Sequence, residues 1–378
     1  MILVVGGTGT IGSEVVRLLQ EAKLPFKALV RDAAKARELN ARGVQTAAGD
    51  LREPRTLPAA LGGVDKVFVV TPLVPDQVQM RAALITAAKT AGVKHFVMST
   101  GIGAAPDSPV QIGRWHGENQ KQVQESGMAW TFVQPGFFMQ NLLMYAQAIR
   151  EKGEFYMPLG EGKVGWIDAR DIAAVAVQAL TTPGHENQAY PLTGPQALSG
   201  AEVAAALSAA AGRPVRYVAI TLEQAKQAMT GMGMPESLAD AMNELYALAP
   251  PGYLAGVLDT VPKVTGRARS RSSPRPTRQR SAPPDIVRVR PVRRARPHTP
   301  LSGAMAGRVQ AAASRCRAAG PPTRQTLKRQ PFPVGRGAQA APVLGTIRAS
   351  SACTPRPRGS TSSGLMSMLS MASAWRAA

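Results

Sequence analysis

A glycine-rich run directly after a short apolar segment constrains the fold of this chain more than any other feature. Residues 6–12 read Gly-Gly-Thr-Gly-Thr-Ile-Gly, and residues 2–5 read Ile-Leu-Val-Val. The apolar segment is typical of a buried parallel strand, and the apolar positions from Ile11 to Leu19 follow helical spacing. A strand, a glycine turn and a helix, in that order, are typical of a cradle for the pyrophosphate of a dinucleotide. The residues expected to bind it are Gly6, Gly7, Thr8, Gly9, Thr10, Ile11 and Gly12.

Charge divides the chain into two chemically different parts. Residues 1–265 carry 23 Lys and Arg against 23 Asp and Glu, whereas residues 266–378 carry 22 basic residues and one acid, Asp285. The net charge of +21 therefore belongs to the C-terminal part. The balanced body is long enough for one α/β domain. Its neutrality argues against a nucleic-acid partner for the body, while the basic part would fit one.

What the sequence lacks argues against several classes of protein. It has no run of about 18 apolar residues, as a membrane span would need, and an apolar segment follows Met1 where a signal peptide would be basic. Both cysteines, Cys316 and Cys353, lie in the basic part. The body therefore offers neither a disulfide nor thiolate ligands for a metal. We expect a cytoplasmic protein without a metal site.

Strand and helix patterns alternate along residues 1–135, with predicted strands ending near residues 5, 30, 49, 70, 98 and 133. This alternation predicts right-handed crossovers and an α/β fold, a Rossmann-type doubly wound parallel sheet. The pattern loosens after residue 135, where we expect a small α/β substrate portion over residues 136–266. Because ligands bind such sheets at the carboxyl ends of the strands, the residues just past each strand are candidates for the site.

Arg31 follows the second predicted strand, where the adenosine ribose of a dinucleotide lies. An arginine there accommodates the 2′-phosphate of NADP(H), whereas an acid would favour NAD(H). The neighbouring Asp32 is the acid to consider, and we assign it to the cap of the next helix. A solvated surface charge is the alternative for Arg31. NADP(H) is thus the expected cofactor, ahead of NAD(H).

Three further strand ends supply candidates for the cofactor site. Asp50 and Leu51 follow the third strand, at the adenine, although Asp50 is equally suited to capping a turn. Thr71 and Pro72 follow the fourth strand. Ser99 ends the fifth strand, where the nicotinamide would lie.

Several segments together resemble one family. The glycine run, Arg31, and the segments at 49–51, 71–75, 127–131, 135–141, 168–172, 190–194 and 212–215 are similar to the NmrA-like atypical short-chain dehydrogenases, and among them to the NAD(P)H:quinone oxidoreductase type. The resemblance covers residues 1 to about 266 and is specific for the family, not for a substrate. It implies a Rossmann domain, frequent use of NADP(H), and a substrate cleft between the sheet and the C-terminal portion.

The chain departs from the alcohol-oxidising short-chain dehydrogenases at their Tyr-x-x-x-Lys pair. The tyrosine and lysine positions hold Ile112 and His116, and residues 112–127 contain no tyrosine. A ketone reductase makes a strongly basic alkoxide and needs a positioned acid. A quinone gives a phenolate-like anion, with a pKa near the ~10 of tyrosine, that takes its proton from water. Hydride transfer to a quinone or similar electron-poor acceptor is therefore favoured.

Candidates for contact with the acceptor lie near the fifth and sixth strands. His116 is the nearest candidate for an acid or for a contact with substrate or nicotinamide, and a packed helix histidine is the alternative. Phe137 and Phe138 would form an apolar wall for a flat acceptor, or else belong to the core. Asn141 would supply a polar contact.

Two functions of different class fit these residues. One is an NAD(P)H-dependent oxidoreductase acting on a small-molecule acceptor. The other is a non-catalytic redox sensor that binds the dinucleotide and acts through a protein partner, and either could form a homo-oligomer. An assay of NADPH consumption with quinones separates them.

The basic part has a composition unlike that of the body. Residues 267–378 are rich in Arg, Pro and Ser and contain two aromatic residues, Phe332 and Trp375. Such a composition predicts a disordered tail. The change is abrupt and falls inside the family's last element, so we expect a frameshift near codon 267. A nucleic-acid-binding arm and a merely solvated tail are the alternatives.

Overall fold

The computed structural model describes residues 1–267. Seven parallel strands form the main sheet in the order β3-β2-β1-β4-β5-β6-β8. All four residues of the first strand are buried, as a strand covered on both faces requires. The strands of this sheet are β1 (Ile2–Val5), β2 (Phe26–Val30), β3 (Thr46–Ala48), β4 (Lys66–Val69), β5 (His95–Ser99), β6 (Ala129–Pro135) and β8 (Gln188–Leu192).

Helices cover both faces of the sheet, which confirms the predicted Rossmann-type doubly wound α/β fold. One apolar cluster contains buried residues of α1, α7 and α11, and a second contains buried residues of α3, α4 and α5 on the opposite face. The helices are α1 (Thr10–Glu21), α2 (Ala33–Ala41), α3 (Leu57–Leu61), α4 (Gln77–Thr90), α5 (Gln111–Glu125), α6 (Ala146–Lys152), α7 (Ala169–Thr181), α8 (Gly200–Ala211), α9 (Leu222–Gly231), α10 (Glu236–Tyr246) and α11 (Thr260–Thr265).

The strand order places a topological switch at β1. The chain runs outward from β1 through β2 to β3 and then returns to β4 on the other side of β1. Val5, the last residue of β1, pairs with Leu29 on one side and Val69 on the other. Crossovers on the two sides of β1 leave by opposite faces, so a crevice opens at its carboxyl end. The glycine run begins at this point.

The predicted division near residue 135 needs a correction, because the chain returns to the main sheet after it. β8 pairs with β6 over Thr131–Pro135, and α7 packs against α1. The last helix, α11, packs against α7 and β8. A smaller unit lies between these returns: β7 (Glu154–Met157) pairs in parallel with β9 (Arg216–Ala219) over a third apolar cluster. A single boundary near residue 135 therefore does not separate the two parts, because segments on both sides of it contribute to the main sheet.

The predicted disordered tail and frameshift concern residues 267–378, which, apart from Arg267, lie outside the described residues. Within residues 1–267, no helix is both long and apolar enough to cross a membrane. The same residues contain no group of three or more His, Cys, Asp or Glu side chains that could hold a metal ion.

Candidate functional site

Two glycines of the turn after β1 are required by the backbone geometry, because a side chain at either position would overlap a carbonyl oxygen. Gly6 has a φ of +84°, and a Cβ there would overlap the carbonyl oxygen of Val70. A Cβ on Gly12 would overlap the carbonyl oxygen of Gly6. The N–H of Gly9 donates to that same oxygen over 3.0 Å and closes the turn. These contacts hold the backbone between β1 and α1 in a tight loop.

Gly9 differs from its neighbours because a side chain there would point away from the protein. An added Cβ would lie 3.4 Å from the oxygen of Gly6 and near no other atom. Thr8, Gly9 and Thr10 are exposed, and α1 begins at Thr10 without a side-chain cap or an acid in its first turn. The first N–H groups of α1 are therefore left for an anionic group. A dinucleotide pyrophosphate fits this loop, and a residue larger than glycine at position 9 would occupy its approach.

Arg31 and Asp32, the two residues that could select the cofactor, have separate roles. Asp32 accepts a hydrogen bond from the backbone N–H of Lys35 over 2.8 Å and caps α2, as the sequence predicts. That hydrogen bond lowers the pKa of Asp32. Arg31 is 65% exposed, and its nearest charged partner is Asp50, with Nη1 and Oδ2 3.8 Å apart. The guanidinium is thus available to a ligand at the end of β2, whereas one oxygen of the Asp32 carboxylate is used to cap α2.

Asp50 and Leu51, which follow β3, have structural roles in a turn and in the core. One carboxylate oxygen of Asp50 accepts from the backbone N–H of Arg52 over 3.0 Å, which is the turn-capping alternative. The Leu51 side chain is buried in the apolar cluster beneath the sheet. The apolar side chain is taken up by the core, and a contact between Leu51 and the cofactor stays a prediction.

The candidates after β4 and β5 lie on neighbouring strands. Pro72 is exposed, while Thr71 is half-buried and its Oγ1 accepts from Nε of Arg81 over 2.9 Å. Ser99 is buried at the end of β5, which pairs with β4 on one side and β6 on the other. These three residues therefore lie at the carboxyl edge of the sheet, as the prediction requires.

His116 lies on α5 and faces the end of β5. An added Cβ on Gly101, two residues past β5, would lie 3.4 Å from Cδ2 and 3.8 Å from Nε2 of this histidine. Its Nδ1 is 3.2 Å from Nη1 of Arg81. Burial, together with the positive charge of Arg81, holds the pKa of His116 well below its ordinary value. The ring is therefore neutral at neutral pH.

Arg81 is a residue of this site that sequence reasoning missed. It is 1% exposed, on the face of α4 that also carries Leu84, Ile85 and Ala88. Burial lowers the pKa of its guanidinium to about 10, so the side chain stays charged at neutral pH. The signal was present in the sequence, since an arginine three, four and seven residues before apolar positions lies on the buried face of a helix.

The acceptor candidates after β6 differ in burial, and both phenylalanines pack against apolar clusters of the core. Phe137 is buried and packs against Trp166 and Tyr246, with ring centroids 5.9 and 5.7 Å apart. This packing favours the core alternative for Phe137, and its place in an acceptor wall stays a prediction. Phe138 and Asn141 are half-buried. Within residues 1–267 the Asn141 amide makes no side-chain hydrogen bond, so it is available to a ligand.

The comparison with known families agrees with this geometry. The profile of the NmrA-like family matches residues 1–260. The chain belongs to the NmrA-like family. A relative from Xenophilus azovorans, described as NAD(P)H azoreductase, is 98% identical over 267 residues, which are 71% of this chain and 93% of that protein. Quinone oxidoreductase 2 of Escherichia coli strain K12 is 32% identical over 272 residues, covering 70% of this chain and 94% of its own.

Two solved structures extend the agreement to three dimensions. The NADPH-dependent quinone oxidoreductase of Escherichia coli, complexed with NADPH, matches with a TM-score of 0.65 and 30% identity over 72% of this chain and 97% of its own. The triphenylmethane reductase of Citrobacter sp., complexed with NADP(H), matches with a TM-score of 0.64 and 27% identity over the same shares of the two chains.

Proposed function

We propose that this chain is an NAD(P)H-dependent reductase that transfers hydride to quinones, azo compounds or similar electron-poor small molecules. The observation that carries the proposal is the open position of Gly9 in an otherwise closed glycine loop, with the free guanidinium of Arg31 at the next strand end. The relatives support it, because two similar proteins are described as an NAD(P)H azoreductase and a quinone oxidoreductase.

In this proposal, backbone N–H groups bind the pyrophosphate of the cofactor, and a charged side chain binds its 2′-phosphate. The exposed N–H groups at the start of α1 would bind the pyrophosphate, and Arg31 would bind the 2′-phosphate of NADP(H). Asp50 lies 3.8 Å from Arg31 and is positioned to orient it. Thr71, Pro72 and Ser99 would line the path from the pyrophosphate towards the nicotinamide, which supplies the hydride when the cofactor is bound.

The acids that the site contains suffice for a quinone, whereas an azo nitrogen, which is strongly basic once it has taken the hydride, would take its proton from water in the same step. Ile112 is buried at the usual tyrosine position, and Lys121 is exposed, with Nζ 4.0 Å from Oε1 of Glu125. Reduction of a quinone takes one hydride and one proton, and the anion formed first has a pKa near the ~10 of a phenol. Water can supply that proton. An alkoxide is a far stronger base, comparable to hydroxide, and would need an acid close by.

His116 contacts the acceptor or the nicotinamide in this proposal, as a neutral hydrogen-bond donor. Its low pKa argues against a role as imidazolium acid. Phe138 and Asn141 would complete the acceptor site with an apolar surface and an amide. A cytoplasmic location and a homo-oligomer are part of this proposal.

The experiment measures NADPH absorbance while a panel of quinones and azo dyes is added to the full chain. We expect turnover with members of the panel, and none with simple ketones or alcohols. A Gly9→Val variant is the control, since it should lose turnover with every acceptor. Tight NADPH binding without turnover on the whole panel would overturn the reductase and favour the redox sensor.

A further inference from the structure

Arg81 carries a buried positive charge that no acid within residues 1–267 neutralises. The side chain is 1% exposed, and its hydrogen-bond partners within residues 1–267 are Thr71 and His116, both uncharged. Burial alone accounts for its lowered pKa, and no carboxylate raises it. An unpaired buried charge is costly to a folded protein. A fold retains such a group more readily when the charge serves the chemistry of the site.

The contact between Arg81 and His116 determines where the histidine carries its proton. A guanidinium has five N–H donors and no acceptor. Nη1 of Arg81 must therefore donate to Nδ1 of His116 across their 3.2 Å separation. In a neutral imidazole, a lone pair on Nδ1 places the single proton on Nε2. Nε of Arg81 donates to Oγ1 of Thr71 over 2.9 Å, which ties the guanidinium to the loop after β4.

The free edge of the His116 ring faces the loop that follows β5. Cδ2 and Nε2 are the ring atoms nearest to the space that a Cβ on Gly101 would fill. Nε2 has no hydrogen-bond partner within residues 1–267, whereas Nδ1 is bound to Arg81. Gly101 follows β5, at the sheet edge where Thr71 and Ser99 also lie. The N–H on Nε2 thus points to the carboxyl end of the sheet.

We propose that Arg81 is a positioning residue that fixes the proton of His116 on Nε2 and directs this N–H to the acceptor. The nature of that acceptor rests on the proposed function, whereas the state of the histidine does not. A cation bound at Nδ1 polarises the ring and strengthens the opposite N–H as a donor. The dyad therefore stabilises negative charge that develops on the acceptor, without giving up a proton. This role suits an acceptor whose anion is only weakly basic.

The first test is the state of His116 in the unmodified full chain. Nitrogen NMR with labelled histidine distinguishes the two neutral tautomers from the imidazolium. The chain has four histidines, and the His116→Gln spectrum identifies the signal. We expect His116 to be protonated on Nε2 alone and not to titrate through the range in which histidines ordinarily do. Protonation on Nδ1, or an ordinary titration, would overturn the proposal without any assay of turnover.

The second test replaces Arg81 by methionine. We expect R81M to release the tautomer of His116 and to lower kcat by about tenfold to a hundredfold, the range for losing the partner that orients a metal-bound histidine. The dissociation constant for NADPH should stay unchanged, and the thermal midpoint should stay equal or rise because a buried charge is removed. A merely structural Arg81 would instead lower the midpoint and leave the tautomer as it was.

Lys27 offers a matched control for removal of a buried cation. It is 9% exposed on β2, and its Nζ donates to the carbonyl oxygen of Gly62 over 2.9 Å. K27M should leave both the His116 signal and kcat as in the unmodified chain. If K27M changed them as R81M does, the effect would be general and the proposal would fail. If no acceptor were reduced by the unmodified chain, the reductase function would fail while the NMR result still decided the role of Arg81.

Discussion

Gly9 is the residue at which cofactor binding can be separated from folding. Its φ of −87° suits any L-residue, and an added Cβ would meet only the oxygen of Gly6 at 3.4 Å. We expect Gly9→Val to fold with an unchanged thermal midpoint and to lose binding of both NADPH and NADH, since the side chain would occupy the pyrophosphate approach. Calorimetric titration with each cofactor measures this.

Gly12→Ala is the contrasting variant in the same loop. Its Cβ would overlap the carbonyl oxygen of Gly6, so the turn itself must shift and the protein should lose stability. Retained affinity in Gly9→Val would remove the glycine loop from the cofactor site. A fall in thermal midpoint for Gly9→Val equal to that of Gly12→Ala would show that both glycines serve only the fold.

Arg31 governs the choice between the two cofactors in our proposal. The guanidinium is exposed. Its nearest carboxylate, that of Asp50, is 3.8 Å away, which is too far for a close ion pair, so the guanidinium can bind a phosphate. Arg31→Ala should weaken NADPH binding by about 1–3 kcal/mol, the range for hydrogen bonds to charged groups. NADH binding should hardly change, and paired titrations measure both.

Asp32→Asn is the control for Arg31→Ala. Asparagine still caps a helix, so α2 should persist and NADH binding should be kept. Equal losses of NADPH and NADH in Arg31→Ala would contradict the assignment. A loss of NADH binding in Asp32→Asn would identify the acid as the ribose ligand.

At the scale of elements, local patterns were readable and distant pairings were not. The sequence predicts strands at Ile2–Val5 and Phe26–Val30 and a helix capped by Asp32, and each is present. These elements are set by neighbours in sequence. The pairing of β8 with β6 joins segments over 50 residues apart, as in Thr131 with Gln188. No periodicity encodes such a partner, which is why the core and substrate portions were divided too simply.

The site shows the same limit. Residues at strand ends were predictable because the topology alone brings them together. Phe137 and Leu51 could not be assigned, since an apolar side chain beside a site and one in the core have the same pattern. The partner of His116 required the packing of α4 on α5, which places Arg81 against a residue 35 positions away.

The start of α7 depends on the ionised carboxylate of Asp168. Burial by itself would raise its pKa, but hydrogen bonds from the side chain and backbone of Arg170, and one from Gln140, outweigh burial and lower it. The Oε1 of Gln140 accepts from the backbone N–H of Ala169 over 3.0 Å. Through Gln140 the carboxylate also anchors the short helix Met139–Tyr145, which contains Asn141.

We expect this carboxylate to stabilise the fold above pH ~4 and to stop doing so in acid. A group whose folded pKa is below its unfolded value, ~3.9 for Asp, contributes stability that is fully present above that value and is lost as the pH falls through the folded pKa. Asp168→Asn should therefore cost about 1–3 kcal/mol at neutral pH and progressively less below pH ~4. Urea unfolding as a function of pH measures the difference.

Gln140→Ala serves as the control for Asp168→Asn. It removes one neutral hydrogen-bond donor to the carboxylate and leaves the ion pair with Arg170 in place. Its cost should be smaller and should keep a sizeable part in acid, because its bond to Ala169 is independent of pH. A constant difference between Asp168→Asn and the unmodified chain from pH ~7 to pH ~2 would contradict the role given to the charge.

At the scale of the whole molecule, the match to relatives and the charge of the chain change at the same place. The azoreductase of Xenophilus azovorans is 98% identical over 267 residues, a match that leaves 29% of this chain without a counterpart. The unmatched share is about the size of the basic part, which holds 22 basic residues and one acid. Near-identity over one part of a chain and no match over the rest is what a shifted reading frame produces. We therefore expect resequencing to find an insertion or deletion near codon 267, and a confirmed frame would contradict this.

The last helix of the described fold, α11, can be kept or removed by truncation at two nearby positions. Gly266 adopts a φ of +65° and ends α11, whose Val261 is 2% exposed against the main sheet's helices. A chain ending at Arg267 should therefore keep its thermal midpoint, NADPH affinity and turnover. A chain ending at Asp259 removes α11 and should lose at least the ~1.5–3 kcal/mol of burying one such side chain. Calorimetry and the NADPH assay measure both chains. If the chain that ends at Arg267 lost NADPH binding, residues after Arg267 would be needed for function, whether or not their reading frame is shifted.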